Sequence, residues 1–161
     1  PAPSRSFFDV GAGALSLLGT LPAPALGATV FGRYRRGSAS IAMEMSAGFA
    51  GTRHGRMGSG VSAWTAAAGV TPCAHFAALG LCGLVLGSTI QATGLEARSA
   101  WFVSLGVRLA TEIPLAARWL LRIHADLVAP LAPVTLRVDG ADLWTTAPVS
   151  GRFGVGAVYR F

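Results

Sequence analysis

The ten residues RFGVGAVYRF, positions 152–161, decide how this chain is read. Phe153, Val155, Ala157, Tyr159 and Phe161 fall on one parity, and Arg152, Gly154, Gly156, Val158 and Arg160 on the other. Successive side chains of a strand point to opposite faces. As a strand, the segment therefore presents one wholly apolar, aromatic face and one small or cationic face. As a helix it would put Arg152 and Arg160 among large apolar groups.

The pattern recurs upstream. In 118–127, Trp119, Leu121, Ile123, Ala125 and Leu127 alternate with Arg118, Leu120, Arg122, His124 and Asp126. In 101–112, Trp101, Val103, Leu105, Val107 and Leu109 alternate with Phe102, Ser104, Gly106, Arg108 and Glu112. Segments 40–49, 26–35 and 7–18 behave alike, with Glu44, Arg33, Arg35 and Asp9 opposite the apolar stripe. Phe7, Phe31, Leu120 and Phe102 break the pattern, since they sit on the mostly polar face.

Composition bounds the answer. The 161 residues suit one domain. They are 52% hydrophobic and 12% charged, with mean hydropathy +0.54. Soluble domains carry about 25% charged residues, so lipid or an unusually large core is implied. The 21 glycines oppose stable helices. Residues 73–92 hold no Asp, Glu, Lys or Arg and are long enough for a transmembrane helix. Gly80, Gly83 and Gly87 weaken that helix, and Ala77-Ala78-Leu79-Gly80 lies midway, where a hairpin would turn. The net charge of +6 comes from thirteen arginines and no lysine. They are spread about one per strand, which fits internal ion pairs and some surface charge rather than a nucleic-acid footprint.

Alternation alone does not say which face is outside. A soluble barrel of the lipocalin kind, with a ligand inside, would turn the polar face out; a membrane barrel inverts this. Here the polar face is mostly Gly, Ala and Ser with single charges of both signs, which fits a narrow lumen. The apolar face carries aromatics near strand ends, which fits an interfacial girdle.

Strands are expected at about 7–18, 25–36, 38–50, 60–73, 80–91, 99–112, 117–128 and 149–161, following a flexible segment 1–6. Each can span a bilayer when tilted. An even count puts both termini on one side. Gly37, 74–79 and 113–116 become short turns on that side; 51–59, 92–98 and 129–148 become longer loops on the other, with 19–24 a short one. Within 129–148, Asp139-Gly140 is a hairpin signal. The aromatics then form two rings. Phe8, Tyr34, Trp119, Tyr159 and Phe161 lie near the terminal end, and Phe49, Trp64, Trp101 and Phe153 near the loop end.

The last strand, ending in Phe161 with Tyr159, Ala157, Val155 and Phe153 before it, resembles the C-terminal signature of bacterial outer-membrane proteins. The eight-strand layout resembles the small barrels of the OmpA and OmpX type, without the peptidoglycan-binding domain of OmpA. The resemblance implies termini in the periplasm and a last strand read by the barrel-assembly machinery.

The candidate chemistry is mostly ionic. Arg33, Glu44, Arg108, Glu112, Arg122, His124, Asp126 and Arg152 are expected in the lumen, with Asp9, Arg35, Arg118 and Arg160 nearer the rim. Eight strands enclose a space about filled by side chains, so Glu44 should pair with Arg108 or Arg122. Cys73 and Cys82 flank the expected 4/5 turn and are expected to form a disulfide, as exported chains meet an oxidising compartment. With His75 they give too few ligands for a metal. His124 and Asp126, with Ser104 or Ser150, could suggest a lipid hydrolase, but no GxSxG turn exists. Arg53, His54 and Arg56 in one loop, and Arg137 and Trp144 in another, are candidate surface-binding residues for lipopolysaccharide or another polyanion.

The expectation is a monomeric, eight-stranded antiparallel outer-membrane β-barrel with a lumen plugged by ion pairs and a structural or surface-interaction role. It is not expected to be an enzyme, to hold a cofactor or to bind nucleic acid. A small pore, a lipid-modifying enzyme, the soluble barrel and a helical membrane protein built on 73–92 are the alternatives.

Overall fold

The computed structural model describes residues 6–54, 60–93, 98–138 and 141–161. Ten strands follow one another: β1 (Ser6–Leu18), β2 (Ala25–Arg36), β3 (Ala39–His54), β4 (Gly60–Phe76), β5 (Leu79–Thr93), β6 (Arg98–Pro114), β7 (Trp119–Pro130), β8 (Thr135–Val138), β9 (Ala141–Thr145) and β10 (Ser150–Arg160). Eight of them close an antiparallel barrel in the order β1-β10-β7-β6-β5-β4-β3-β2, and β8 and β9 form a separate hairpin. The closing seam runs from Asp9 opposite Arg160 to Leu18 opposite Gly151. Closure leaves no strand edge, so the backbone donors and acceptors of the wall are met within the wall, as a hydrocarbon surrounding demands. Among the described residues no helix is long and apolar enough to cross a membrane; residues 73–92 form a hairpin instead.

The direction of the faces is the decisive observation. Met43 is 73% exposed and Trp101 72%, while Asp9, Arg33 and Arg108 are at most 1% exposed. Large apolar side chains therefore cover the outside and charges line the inside. A soluble barrel would have the reverse, because exposing this much apolar surface to water is unfavourable by ~25 cal/mol per Å². The lipocalin-like alternative is thereby excluded.

Several boundaries differ from those read off the sequence. The apolar runs predict a 4/5 turn over 74–79, but pairing continues to Phe76 opposite Leu79. Only Ala77 and Ala78 turn, with Ala77 at φ 55°. The sequence hides this because Ala favours neither the strand nor the left-handed turn; tight ladder pairing on both sides imposes it. Strands β3, β5 and β6 also extend further toward the loop end than the sequence predicts, with β3 and β4 resuming pairing beyond a bulge between Ala50 and Arg53; β4 starts at Gly60 as expected and gains its extra residues at the turn end. Ser6 joins β1, while residues 1–5 lie outside the described residues.

Candidate functional site

The lumen is organised in layers, and the register of the wall creates them. Arg108 on β6, Asp126 on β7 and Arg152 on β10 stand directly opposite one another across adjacent strands. Arg108 grips Asp126 with two hydrogen bonds, Nε to Oδ1 at 2.7 Å and Nη2 to Oδ2 at 2.8 Å. Arg152 Nε lies 3.5 Å from the same carboxylate. Glu44 reaches this row from β3, on the opposite wall. Arg108 donates to its two oxygens at 2.5 and 3.0 Å, and Arg152 Nη2 at 2.9 Å.

A second layer repeats the plan nearer the termini. Arg33, Asp9 and Arg160 are aligned across β2, β1 and β10. Arg33 donates to Asp9 through Nε at 3.0 Å and through Nη2, and Arg160 Nε donates to its other oxygen at 3.1 Å. Glu112 crosses the lumen from β6 to close the layer, accepting from both terminal nitrogens of Arg33. Arg35 and Arg160 each approach Glu112 to 3.9 Å. In each layer the row of two guanidinium groups around one Asp is balanced by one Glu from across the barrel. Charges this buried are tolerated only when paired and hydrogen-bonded.

Arg122 and His124 lie between the layers and join neither. Arg122 faces Glu112 in register, but its guanidinium stacks over Phe31 at 4.4 Å and its Nε has no hydrogen-bond partner. Pairing of Glu44 with Arg122 does not occur: Arg108 and Arg152 already fill the oxygens of Glu44. Cation–π contact with Phe31 stands in for a carboxylate. Both ring nitrogens of His124 lack a hydrogen-bond partner, and Asp126 is engaged by arginines. The Ser-His-Asp arrangement a hydrolase needs is therefore not assembled around His124. Gly11 and Gly154 make room for these groups, because a Cβ there would strike the Phe31 ring and the His124 ring respectively.

Cys73 and Cys82 face each other across β4 and β5 and are joined as a disulfide on the lumen side. Nearby, His75 and Ser40 share a hydrogen bond of 2.8 Å. Among the described residues no three His, Cys, Asp or Glu side chains group as metal ligands.

The loop end of the lumen is apolar. Leu15, Leu17, Leu21, Ala25, Ile90 and Phe102 form a buried cluster, against which Val134 and Trp144 pack from the β8–β9 hairpin and its approach. Trp144, expected at a surface-binding tip, is instead half-buried here as a cap. Parity carries a signal for this cluster, since Leu15 and Leu17 continue the inward series of Asp9, Gly11 and Gly13. Between it and the first ionic layer is a cavity of about 30 Å³ bordered by Ser46, Thr65, Ser88, Ser104, Ser150 and Arg152, room for about one water. Arg56 lies outside the described residues, as do the side chains of Arg53, His54 and Arg137.

Outside, Phe8 is opposite Tyr34, and Trp119 opposite Tyr159. The rings of Phe8 and Phe161, Phe161 and Tyr159, and Tyr159 and Trp119 are 6.1, 5.0 and 5.1 Å apart. They form a continuous aromatic arc at the terminal end, with Phe161 turned outward. At the other end Phe49 stands opposite Trp64; Trp101 and Phe153 are exposed on the same face, while Trp64 is partly covered.

No family model matches this sequence, and no curated protein matches it. Solved structures do. Ail, the attachment invasion locus protein of Yersinia pestis, seen in complex with the heparin analogue sucrose octasulfate, is 13% identical with TM-score 0.61, covering 99% of both chains. Neisserial surface protein A is 11% identical with TM-score 0.62, covering 97% of both. A major outer membrane protein from Thermus thermophilus is 10% identical with TM-score 0.66, covering 98% of this chain and 100% of that one. Layered ions inside, apolar residues outside and these likenesses lead to one conclusion: the chain has the fold of the small eight-stranded barrels of bacterial outer membranes.

Proposed function

We propose that this chain is a non-conducting outer-membrane barrel that presents its loop end to the exterior as an interaction surface. One observation carries the reading: Glu44 crosses the lumen to Arg108 and Arg152, so opposite walls are tied together across the space an ion would use. Glu112 does the same below it, and the Leu15–Phe102 cluster under Trp144 seals the loop end. No reaction is proposed. The termini face the periplasm, the barrel works as a monomer, and the last strand is the segment the assembly machinery reads; the outward, aromatic Phe161 supports the latter. Recording from the purified protein in planar bilayers tests the seal. The expected result is no steady current, and a stable ion-selective conductance overturns it.

The outer partner is read as a polyanion, either lipopolysaccharide or a sulfated glycan. Arg53, His54 and Arg56 gather three basic groups within four residues, and the similar barrel Ail is seen in complex with a heparin analogue. Binding to immobilised heparin should weaken steeply with salt and be lost in an Arg53→Gln/Arg56→Gln variant. Retention unchanged in that variant would remove the loop from consideration.

A further inference from the structure

We propose that the barrel end carrying both termini is a docking surface for anionic phospholipid head groups. Among the described residues this end holds five arginines, Arg33, Arg35, Arg36, Arg118 and Arg160, against two carboxylates, Asp9 and Glu112. Asp9 is buried and Glu112 nearly so, paired with Arg33, Arg35 and Arg160. The positive charge beyond these pairs reaches the surface through exposed Arg118, whose side chain meets only the Tyr159 hydroxyl among the described residues, and through partly exposed Arg35.

Its placement is specific. The arginines lie at the ends of β2, β10 and β7, which with β1 are consecutive around the wall. The aromatic arc of Tyr34, Phe8, Phe161, Tyr159 and Trp119 lies on those same strands. The β4–β5 turn, Phe76 to Leu79, at the far part of this rim carries no charge. Arg118 is exposed and donates to the Tyr159 hydroxyl at 3.1 Å. Arg160 and Arg35 both stack on Phe7, at 4.1 and 5.6 Å, which holds them at the mouth of the lumen. Arg36 is exposed beside them.

Aromatic rings settle at the boundary between acyl chains and head groups. Cations just beyond such rings stand at phosphate level. Guanidinium matches a phosphate with two parallel hydrogen bonds, which a lysine cannot do. The occupant that fits is a phospholipid with net negative charge, such as phosphatidylglycerol, rather than a zwitterionic one. It belongs to the inner leaflet, a point that rests on the periplasmic orientation proposed above.

The experiment uses the full chain, equilibrated in vesicles of phosphatidylethanolamine and phosphatidylglycerol and then studied by native mass spectrometry for retained lipid. Phosphatidylglycerol should be retained preferentially. Each arginine removed should lower that preference roughly fivefold, first in Arg118→Gln and then in Arg35→Gln/Arg36→Gln/Arg118→Gln. Heat-modifiable migration on gels verifies that each variant is folded, and if the triple variant is not, Arg118→Gln alone decides. Equal retention of the two lipids by the unaltered chain overturns the proposal, as does a preference unchanged in the folded variants. In a second equilibration with lipid A added to the vesicles, retention of lipid A over phosphatidylglycerol through the same arginines overturns it too. Orientation is read separately, by labelling Ser38→Cys in the exposed β2–β3 turn with an impermeant maleimide on intact cells. Labelling there would sink the orientation, whatever the lipid result.

Discussion

The two ionic layers have the same components in different surroundings. Each is an Arg-Asp-Arg row across three strands, closed by a Glu from the opposite wall. In the layer around Glu44, every side chain is at most 5% exposed. In the layer around Glu112, Arg160 is 31% exposed and Arg35 18%. Identical pairings should therefore differ in worth, because water at the mouth screens one layer and not the other. The difference teaches that position along the lumen, not residue type, sets how costly a broken pair is.

Removing the central carboxylate should have the largest effect. Glu44→Ala leaves Arg108 and Arg152 facing each other without their shared acceptor, and should lower folding stability by about 3–5 kcal/mol. Urea unfolding in detergent, followed by heat-modifiable migration, reads it. Glu112→Ala is expected to cost less, about 2 kcal/mol, since Arg35 and Arg160 can turn to solvent. Raising the salt concentration should shrink the second loss and leave the first unchanged. Equal losses with equal salt dependence would break the comparison.

Smaller effects sharpen it. Cys73→Ser/Cys82→Ser removes a crosslink between residues nine apart that already face each other in the ladder. The loop it closes is short, so a loss of about 1–2 kcal/mol is expected in chemical unfolding. Arg122→Met comes last, with stability unchanged or slightly raised in the same measurement. Arg122 is buried on Phe31 without a carboxylate, and replacing such a charge by an apolar group of similar length is neutral to favourable. A loss comparable to that of Glu112→Ala would show that Arg122 belongs to the layer beneath it after all.

Much of this arrangement is legible in the chain. Period-two alternation in 152–161 and its upstream repeats marks six of the eight strands, and parity alone puts Glu44, Arg108, Asp126 and Arg152 on the inward face of theirs. The cysteines flanking a turn identify their own pairing, because contact between them is local. A 4/5 turn over 74–79 is too broad a reading, as Ala77 and Ala78 carry no turn chemistry of their own. The apolar plug escapes a reading that looks for a polar inner face: of its members only Phe102 registers there, as a break in the pattern. Its residues fill the loop end of the lumen with apolar side chains.

What the sequence determined by itself is the set of strands and the two faces of each, since alternation is a property of neighbouring residues. Tertiary structure turned the apolar face outward, as its aromatics and the small residues opposite them already suggested, and it alone decided which carboxylate served which arginine. Glu44 lies 64 residues from Arg108 and 108 from Arg152, and no local rule ranks Arg108 above Arg122 as its partner. That choice is made when the wall closes, because closure sets the height of every inward side chain and so which charges share a layer.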